Sequence, residues 1–258
     1  MQINFWKYQG AGNDFIMVDN REKSIDSSNI EIVRKLCSRK FGIGSDGMIF
    51  IEPSDKADFT MNFFNPDGSK SFCGNGSRCA VAFAKFIGID KDKMTFEAID
   101  GLHYAEIKKD SISIKMHDVE KVNQLEEASF TDTGSPHYMK FCSDVSRVEV
   151  KEEGSKIRYS DQYKTEGVNV NFIQVLGENH IKVRTYERGV EDETLACGTG
   201  ATACALSYLN KGIDGKHLVR VDVGGGTLYI HSEKNGNGFK NIWLQGPAIA
   251  VFKGSVDV

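Results

Sequence analysis

Cys73 and Cys197 each begin a short glycine-rich segment, and the two segments match one another. Residues 73–76 read Cys-Gly-Asn-Gly and residues 197–200 read Cys-Gly-Thr-Gly. A cysteine at the start of a helix lies where backbone N–H groups and the helix dipole stabilise a thiolate, so it can act as a base. The flanking glycines let a ligand approach the backbone closely, and the exposed amides can then bind a carboxylate.

The match between the two segments extends beyond the cysteines and indicates a duplicated chain. The cysteines are 124 residues apart (197 minus 73), and the same separation relates residues 88–90, Gly-Ile-Asp, to residues 212–214. Upstream, residues 12–15 align with residues 134–137 at a separation of 122. A repeat of this kind predicts two structural units of the same design.

Each copy predicts the same succession of elements. A helix is expected from each cysteine to a closing glycine, Gly88 or Gly212, because apolar residues recur at helical spacing between them. Strand pairs follow at residues 94–107 and 218–230, and single strands are expected at residues 15–18 and 138–141. Residues 119–133 are polar and lack strong periodicity, which favours a crossover between the copies.

The predicted fold class is therefore α+β, with two pseudo-twofold-related halves and a cleft between them. The first half covers residues 1–120 and carries Cys73, and the second covers residues 121–247 and carries Cys197. The strand expected around Ala248 to Phe252, within residues 248–258, could return to either half.

Two cysteines related by such symmetry suit proton transfer at a single carbon. They would approach a ligand from opposite sides, so one can remove a proton from one face while the other delivers a proton to the opposite face, which inverts the configuration. One must be thiolate and its partner thiol at any moment, and the rate should show a bell-shaped pH dependence. Cys79 and Cys204 fall on apolar helix faces and are expected to serve packing, whereas Cys37 and Cys142 are left unassigned.

Composition narrows the class of protein. The net charge is −4 with interleaved signs, no basic stripe favours nucleic acid, and no segment favours export or membrane insertion. Six cysteines in 258 residues are too sparse for a disulfide scaffold, so free thiols in the cytoplasm are expected. The cysteine spacings do not suit structural zinc, and we expect neither a metal nor a cofactor.

Further motifs complete a pattern that is specific in its order and spacing. They occupy residues 10–15, 42–47, 64–69, 73–78, 136–137, 168–169, 186–189 and 196–200. On these motifs, and over nearly its full length, the chain resembles the diaminopimelate epimerase family. The resemblance implies two mirrored halves, each a β-barrel-like sheet around a central helix, and pyridoxal-independent interconversion of LL- and meso-diaminopimelate without cofactor. It also implies amino-acid biosynthesis, in which the product could feed lysine biosynthesis, cell-wall peptide or both, and the option of a homodimer.

The resemblance assigns roles residue by residue. Cys73 and Cys197 would be the acid–base pair, and His137 and Glu187 would tune their thiols. The reacting carboxylate would be bound at the two helix starts by Gly74, Asn75, Gly198 and Thr199. The remaining polar groups of the substrate would be held by Asn13, Asn65, Asn169, Glu187 and Arg188, of which Arg188 suits bidentate carboxylate binding.

Three departures from the family pattern affect recognition of the distal end of the substrate. Ser135 stands where the family often has asparagine, Gly47 stands where some members have glutamine, and the loop of residues 188–197 is one residue longer than usual. A proline or hydroxyproline racemase remains the alternative of the same class, although the distal polar residues favour a longer substrate. A phenazine-type isomerase is disfavoured because it should lack the cysteines, and a binding or structural protein without turnover remains the alternative from another class.

Overall fold

The computed structural model describes residues 1–109 and 111–258, which form two units. Unit 1 consists of Met1–Ile114 and Gly246–Val258, and unit 2 consists of Lys115–Gln245. The division after Ile114 lies ahead of the boundary expected near Glu120. Within these described ranges, no helix is long and apolar enough to cross a membrane.

In the residues that the structure describes, unit 1 contains eight strands and two helices. The strands are β1 (Gln2–Gly10), β2 (Asn13–Asp19), β3 (Gly47–Glu52), β4 (Phe59–Phe64), β5 (Lys93–Ala98), β6 (Gly101–Lys108), β7 (Ser111–Lys115) and, after unit 2 in the chain, β17 (Ile249–Asp257). The helices are α1 (Ile30–Cys37) and α2 (Gly74–Phe86). The strand order is β17-β1-β2-β3-β4-β5-β6-β7, with β2–β3 and β4–β5 parallel and the other neighbours antiparallel.

Unit 2 repeats this arrangement. Its strands are β8 (Asn123–Gln124), β9 (Ser129–Asp132), β10 (Pro136–Phe141), β11 (Asn169–Gly177), β12 (His180–Glu187), β13 (Asp192–Thr194), β14 (Gly215–Val223), β15 (Gly226–Asn235) and β16 (Gly238–Gly246), and its α-helices are α3 (Val150–Arg158) and α4 (Gly198–Leu209). The order is β8-β9-β10-β11-β12-β14-β15-β16, with β10–β11 and β12–β14 parallel and β13 paired to β12. Strand directions therefore follow the same sequence in both units.

The prediction of one helix per half was incomplete, for a topological reason. Parallel neighbours need a crossover connection, and each unit has two parallel pairs. In unit 1 the crossovers contain α1 and α2, and in unit 2 they contain α3 and α4. The crossover expected over residues 119–133 is also different, because it contains the short strands β8 and β9.

The helices that begin at the two cysteines are the central helices of their units. Almost every residue of α4 is buried, and it packs against β9, β10, β11, β12, β14 and β15 of its own unit. Helix α2 packs in the same way against β1 to β4. A helix surrounded by strands must be apolar or small on most of its faces, which these two are.

The two central helices end differently. After α2, the N–H of Ile89 donates to Ala84 O and the N–H of Gly88 donates to Lys85 O, with Gly88 at φ 104°. This is the Schellman ending in which glycine supplies the left-handed residue. Helix α4 ends already at Leu209, and Gly212 is not in the left-handed region. The predicted glycine cap is therefore confirmed for Gly88 and wrong for Gly212.

Candidate active site

Cys73 is the N-cap of α2 in unit 1. Its Sγ accepts a hydrogen bond from the backbone N–H of Gly76 at 3.3 Å, and its carbonyl accepts from the N–H and the hydroxyl of Ser77, each at 2.8 Å. The first-turn N–H groups of a helix have no intrahelical acceptor and favour a negative charge. The position predicted for Cys73 at a helix start is confirmed.

A directional chain of side-chain amides begins next to Cys73. Arg78 Nη2 donates to Asn75 Oδ1 at 2.7 Å, Asn75 Nδ2 donates to Asn13 Oδ1 at 2.6 Å, and Asn13 Nδ2 donates to Asp46 Oδ2 at 3.0 Å. Asn13 and Asn75, both predicted site residues, are thus brought together. Asp46 and Arg78 fix the direction in which the two amides point.

Arg78 is a fully buried cation with neutral hydrogen-bond acceptors. Besides Asn75, it donates to Gly74 O at 3.4 Å and to Pro247 O at 3.3 Å. Burial lowers the pKa of Arg78 to about 10, and negative charge on Cys79 or Cys73 in the thiolate form would raise it again, so the side chain remains charged at neutral pH. Such a charge favours a thiolate in its neighbourhood.

An ion cluster holds the carboxylate end of the amide chain. Asp14 pairs with Lys7 at 2.7 Å and with Arg39 at 2.8 Å, and Arg39 also pairs with Asp46 at 2.6 Å. Burial raises the pKa of Asp14, but hydrogen bonds and charge from Arg39 and Lys7 outweigh it and leave the pKa below its ordinary value. Buried Lys7 also donates to the carbonyl of Gly44.

Unit 1 also contains Asn65, a predicted substrate-binding residue, and Gly47, one of the three departures from the family pattern. Asn65 lies in a turn after β4, where its Nδ2 donates to the hydroxyls of Ser69 at 3.0 Å and Ser71 at 3.2 Å. A Cβ at Gly47 would lie 2.3 Å from the Phe63 ring, so this position has no space for the glutamine of some family members.

Cys197 is the N-cap of α4 in unit 2 and is only 8% exposed. Its sulfur is in contact with a side-chain hydroxyl of the first turn, since Cys197 Sγ and Thr199 Oγ1 lie 3.4 Å apart. Thr199 is held by the Thr133 hydroxyl, which donates to its carbonyl at 2.9 Å. The predicted location of Cys197 at the start of a helix is confirmed.

His137 is buried and reaches Cys197 through Thr199. Its Nε2 is 2.9 Å from Thr199 Oγ1, and its Nδ1 is 3.1 Å from Asn171 Nδ2. Burial first, and then the charge of Arg188, lower the pKa of His137 to about 3. The imidazole is therefore neutral at physiological pH.

The residues expected to recognise the distal end of a substrate form a second cluster in unit 2. Asn169 Nδ2 donates to Ser135 Oγ at 2.8 Å, and its Oδ1 accepts from the backbone N–H of Arg188 at 2.9 Å. Arg188 is exposed, and its guanidinium donates to Glu166 O at 2.9 Å and to Ser135 Oγ at 3.4 Å. Ser135, one of the three departures from the family pattern, is therefore hydrogen-bonded to two of the predicted site residues, Asn169 and Arg188.

Glu187 is the last residue of β12 and lies beside this cluster. Its Oε2 accepts from the Thr194 hydroxyl at 2.8 Å, across the β12–β13 pair. The carboxylate is half-buried, so it is still in contact with solvent.

Sequence reasoning missed the partners that orient the predicted residues. In unit 1 these are Asp46 and Arg78, and in unit 2 they are Asn171 and Thr185, whose hydroxyl donates to Asn171 Oδ1 at 2.9 Å. The repeat contains a signal for Asn171 and Thr185. The residues 122 positions earlier in the first copy, Ile49 and Phe63, are apolar.

Cys79 and Cys204 are fully buried on their helices, which confirms their packing role. Burial raises the pKa of Cys79 to about 12 and the pKa of Cys204 well above its ordinary value, so both remain thiols. As for metals, the described part of the chain contains no group of three His, Cys, Asp or Glu side chains that could hold an ion.

Comparison with known proteins gives matches over almost the whole chain. A family model described as diaminopimelate epimerase matches residues 5–122 and 129–251. The diaminopimelate epimerase of Flavobacterium psychrophilum is 48% identical over 256 residues, covering 98% of this chain and all of that protein. That of Aquifex aeolicus is 40% identical over 274 residues, covering 98% and 97%.

Solved structures share the fold at low sequence identity. A PhzF-family phenazine biosynthesis protein of Bacillus anthracis superposes with a TM-score of 0.78 at 15% identity over the full length of both chains. A hydroxyproline epimerase of Agrobacterium vitis superposes with a TM-score of 0.71 at 13% identity, covering 99% of this chain and 91% of that one. The fold therefore places the chain in the structural class of these epimerases and PhzF-family proteins. Within that class, the chain belongs to the diaminopimelate epimerase family, a family of isomerases.

Proposed function

We propose that the chain catalyses pyridoxal-independent epimerisation of LL-diaminopimelate to meso-diaminopimelate, with Cys73 and Cys197 as the acid–base pair. The observation that carries the assignment is that each unit starts its central helix with a cysteine in contact with a hydrogen-bond donor of the first turn. Family membership supplies the substrate.

The reaction needs a base on one face of the α-carbon and an acid on the other. One cysteine, as thiolate, removes the α-proton, and the other, as thiol, delivers a proton to the carbanion; the roles are exchanged in the reverse direction. The backbone N–H groups at the starts of α2 and α4, at Gly74, Asn75, Gly198 and Thr199, stabilise the negative charge that develops on the α-carboxylate.

The distal amino and carboxylate groups are assigned to the polar side chains outside the helix starts. Arg188 and Ser135 suit the carboxylate, because the exposed guanidinium offers N–H donors and the Ser135 hydroxyl, which already accepts two hydrogen bonds, can still donate one. Asn13, Asn65, Asn169 and Glu187 complete the set.

The test is deuterium wash-in from D2O into the α-position of LL-diaminopimelate under reducing conditions, followed by NMR. We expect exchange by the wild type and a loss of roughly 10²- to 10⁴-fold in Cys73→Ala and in Cys197→Ala. Cys79→Ala is the matched control, since it removes a thiol from α2 that packs in the core. Exchange into proline or hydroxyproline with none into diaminopimelate would instead identify the racemase alternative.

Three finer assignments belong to the same proposal. We assign the product to lysine biosynthesis, and we place the enzyme in the cytoplasm because the thiols of Cys37, Cys79, Cys142 and Cys204 are free.

We also propose a homodimer through β17, where Ile249, Val251 and Phe252 are each about half exposed. Sedimentation of the wild type and of Phe252→Asp tests the homodimer, and a monomeric wild type contradicts it.

A further inference from the structure

Unit 2 buries a cluster of three polar side chains beside the start of α4. His137 and Asn171 are completely buried, and Thr185 is nearly so. Hydrogen bonds join them in series: Thr185 Oγ1 to Asn171 Oδ1 at 2.9 Å, and Asn171 Nδ2 to His137 Nδ1 at 3.1 Å. Burying polar groups costs stability unless their hydrogen bonds are satisfied. A buried polar cluster of this size therefore suggests a role beyond packing.

The corresponding positions of unit 1 are apolar, which shows that the fold does not require polar residues there. A separation of 122 residues relates Phe15, Ile49 and Phe63 to the three members of the cluster. The strand register agrees: Ile49 pairs with Phe63 just as Asn171 pairs with Thr185. The contacts agree too, because a Cβ at Gly76 would meet Ile49 and Phe15, and a Cβ at Gly200 would meet Asn171 Oδ1.

The orientation of the Asn171 amide is fixed by its other neighbours. Its Nδ2 lies 3.0 Å from Tyr138 O, and a backbone carbonyl can only accept a hydrogen bond. Its Oδ1 accepts from Thr185 on the opposite side. The group facing His137 Nδ1 is therefore an N–H donor, so Nδ1 must be the unprotonated nitrogen of a neutral ring.

The hydrogen-bond direction then continues from His137 to the sulfur. With Nδ1 unprotonated, the hydrogen resides on Nε2 and is donated to Thr199 Oγ1. A thiolate has no hydrogen to give, so in the 3.4 Å contact with thiolate Cys197 the Thr199 hydroxyl is the donor. The Thr199 hydroxyl thus accepts from His137 and gives its single hydrogen to Cys197.

We propose that Asn171 is a positioning residue that fixes the Nε2–H tautomer of His137, so that the Thr199 hydroxyl donates its hydrogen to the Cys197 thiolate. This inference rests on the proposed acid–base role of Cys197. The three linked groups, Asn171, His137 and Thr199, are called the neutral relay below.

The neutral relay gives Cys197 a hydrogen-bond donor comparable to the one that Cys73 receives from the backbone. Cys73 Sγ accepts from the N–H of Gly76, whereas Cys197 Sγ contacts the hydroxyl of Thr199. The low pKa of His137, about 3, keeps the ring neutral, so the ring orients Thr199 and does not itself exchange protons with substrate at neutral pH. The charged group that acts on this ring is Arg188, which adds to the effect of burial in opposing protonation.

The first experiment measures the tautomer in the wild type without substrate. ¹⁵N NMR of the histidine-labelled chain, assigned by loss of the signals in His137→Phe, should show a neutral His137 with its hydrogen on Nε2 between pH 6 and 8. A hydrogen on Nδ1, or an imidazolium in this range, overturns the proposal. This measurement needs no variant at Asn171 and no turnover.

The second experiment measures the reactivity of each cysteine by mass spectrometry after timed alkylation with iodoacetamide. Asn171→Ile, which installs the residue type of unit 1, should slow alkylation of Cys197 about 10-fold and leave Cys73 unchanged as the internal reference. Ser129→Ala is the matched control, since it removes a buried hydroxyl–hydroxyl hydrogen bond with Ser207, near the opposite end of α4 from Cys197. Equal alkylation of Cys197 in Asn171→Ile and wild type overturns the proposal.

Combining variants separates positioning from a structural effect. Thr199→Val should slow Cys197 alkylation by a similar factor, Thr199→Ser should restore it, and adding Asn171→Ile to Thr199→Val should have no further effect. If the two substitutions instead slow Cys197 alkylation independently, so that their factors multiply in the double variant, the relay is overturned. If Asn171→Ile does not fold, the tautomer of His137 in the wild type and the comparison of Thr199→Val with Thr199→Ser still test the proposal. A relay intact by these measures in a protein without deuterium wash-in would refute the proposed function and leave the relay standing.

Discussion

His137 connects the site to the stability of the protein through its ionisation. Its folded pKa, about 3, lies below the value of about 6.5 expected for the unfolded chain. Between these values the unfolded chain binds the additional proton, so the free energy of unfolding falls as the pH falls through this window.

We therefore predict that the wild type loses about 2 kcal/mol of stability from this residue between pH 7 and pH 5. His137→Phe, which installs the residue found at the equivalent position of unit 1, should remove that loss. Urea denaturation of both proteins at the two pH values measures it, and most carboxylates stay ionised over this range. Parallel pH dependences in the two proteins would contradict the burial of a neutral histidine.

At the scale of single residues, sequence reasoning found the groups proposed to contact substrate more readily than the groups that orient them. Cys73 and Cys197 stand out because the repeat marks them twice. Asn171 and Thr185 lie inside strands, where periodicity predicts apolar side chains and gives no sign of a polar one. Only comparison with Ile49 and Phe63 in the other copy reveals them.

The two central helices permit a matched comparison at their third residue. A Cβ at Gly200 would lie 2.6 Å from Asn171 Oδ1, whereas a Cβ at Gly76 would lie 3.2 Å from the end of Ile49. Gly200→Ala should therefore cost about 2 kcal/mol, because it displaces an amide held by Thr185.

Gly76→Ala should change the free energy of unfolding much less, since alanine favours the helix by about 0.5–1 kcal/mol and the terminal methyl of Ile49 can move. Chemical denaturation of both variants provides the measurement. Equal losses would show that the surroundings of the two glycines are alike in rigidity.

The ends of the same helices give a second comparison. Gly88 adopts φ 104°, and a Cβ added there would meet no atom of the described residues within 4 Å, so Gly88→Ala should cost about 1–2 kcal/mol for conformational reasons alone. Gly212 lies outside the left-handed region, and an added Cβ would come to 3.1 Å from Leu209 O, so Gly212→Ala should cost less than Gly88→Ala. Thermal unfolding distinguishes them, and a larger loss at Gly212 would be the unexpected result.

At the scale of elements, the helices and strand pairs that the sequence predicts are present in the structure. The structure also contains two short helices, α1 and α3, that the sequence did not predict. The strands expected at residues 15–18 and 138–141 are present within β2 and β10. Helix α1 escaped prediction because its eight residues bury only Val33, Leu36 and Cys37. Helix α3 is rich in charge and buries only Val150 and Gly154, so its apolar pattern is weak.

For the whole molecule, unit 1 depends on a strand that lies far away in sequence. β17 pairs with β1 from Gln2↔Asp257 to Gln9↔Ile249. Removing residues 247–258 should leave β1 without this partner, and hydrogen exchange of the β1 amides should become at least about 10-fold faster.

Removing Val258 alone is the control and should leave exchange of the β1 amides over Phe5 to Gln9 unchanged. Mass spectrometry of peptides from β1 reads out both variants. Protection of β1 in the longer deletion would mean that β2 alone holds this strand.

The position of β17 has a consequence for the order in which the protein can be made. During synthesis the first 114 residues leave the ribosome without the strand that completes their sheet, and the entire second unit is made before that strand appears. Unit 2 contains all its strands in one continuous stretch, so it can fold while the chain is still growing. The half that is translated first is therefore expected to be finished last, and the interval in which β1 lacks β17 is the period when the nascent chain is most open to association with others.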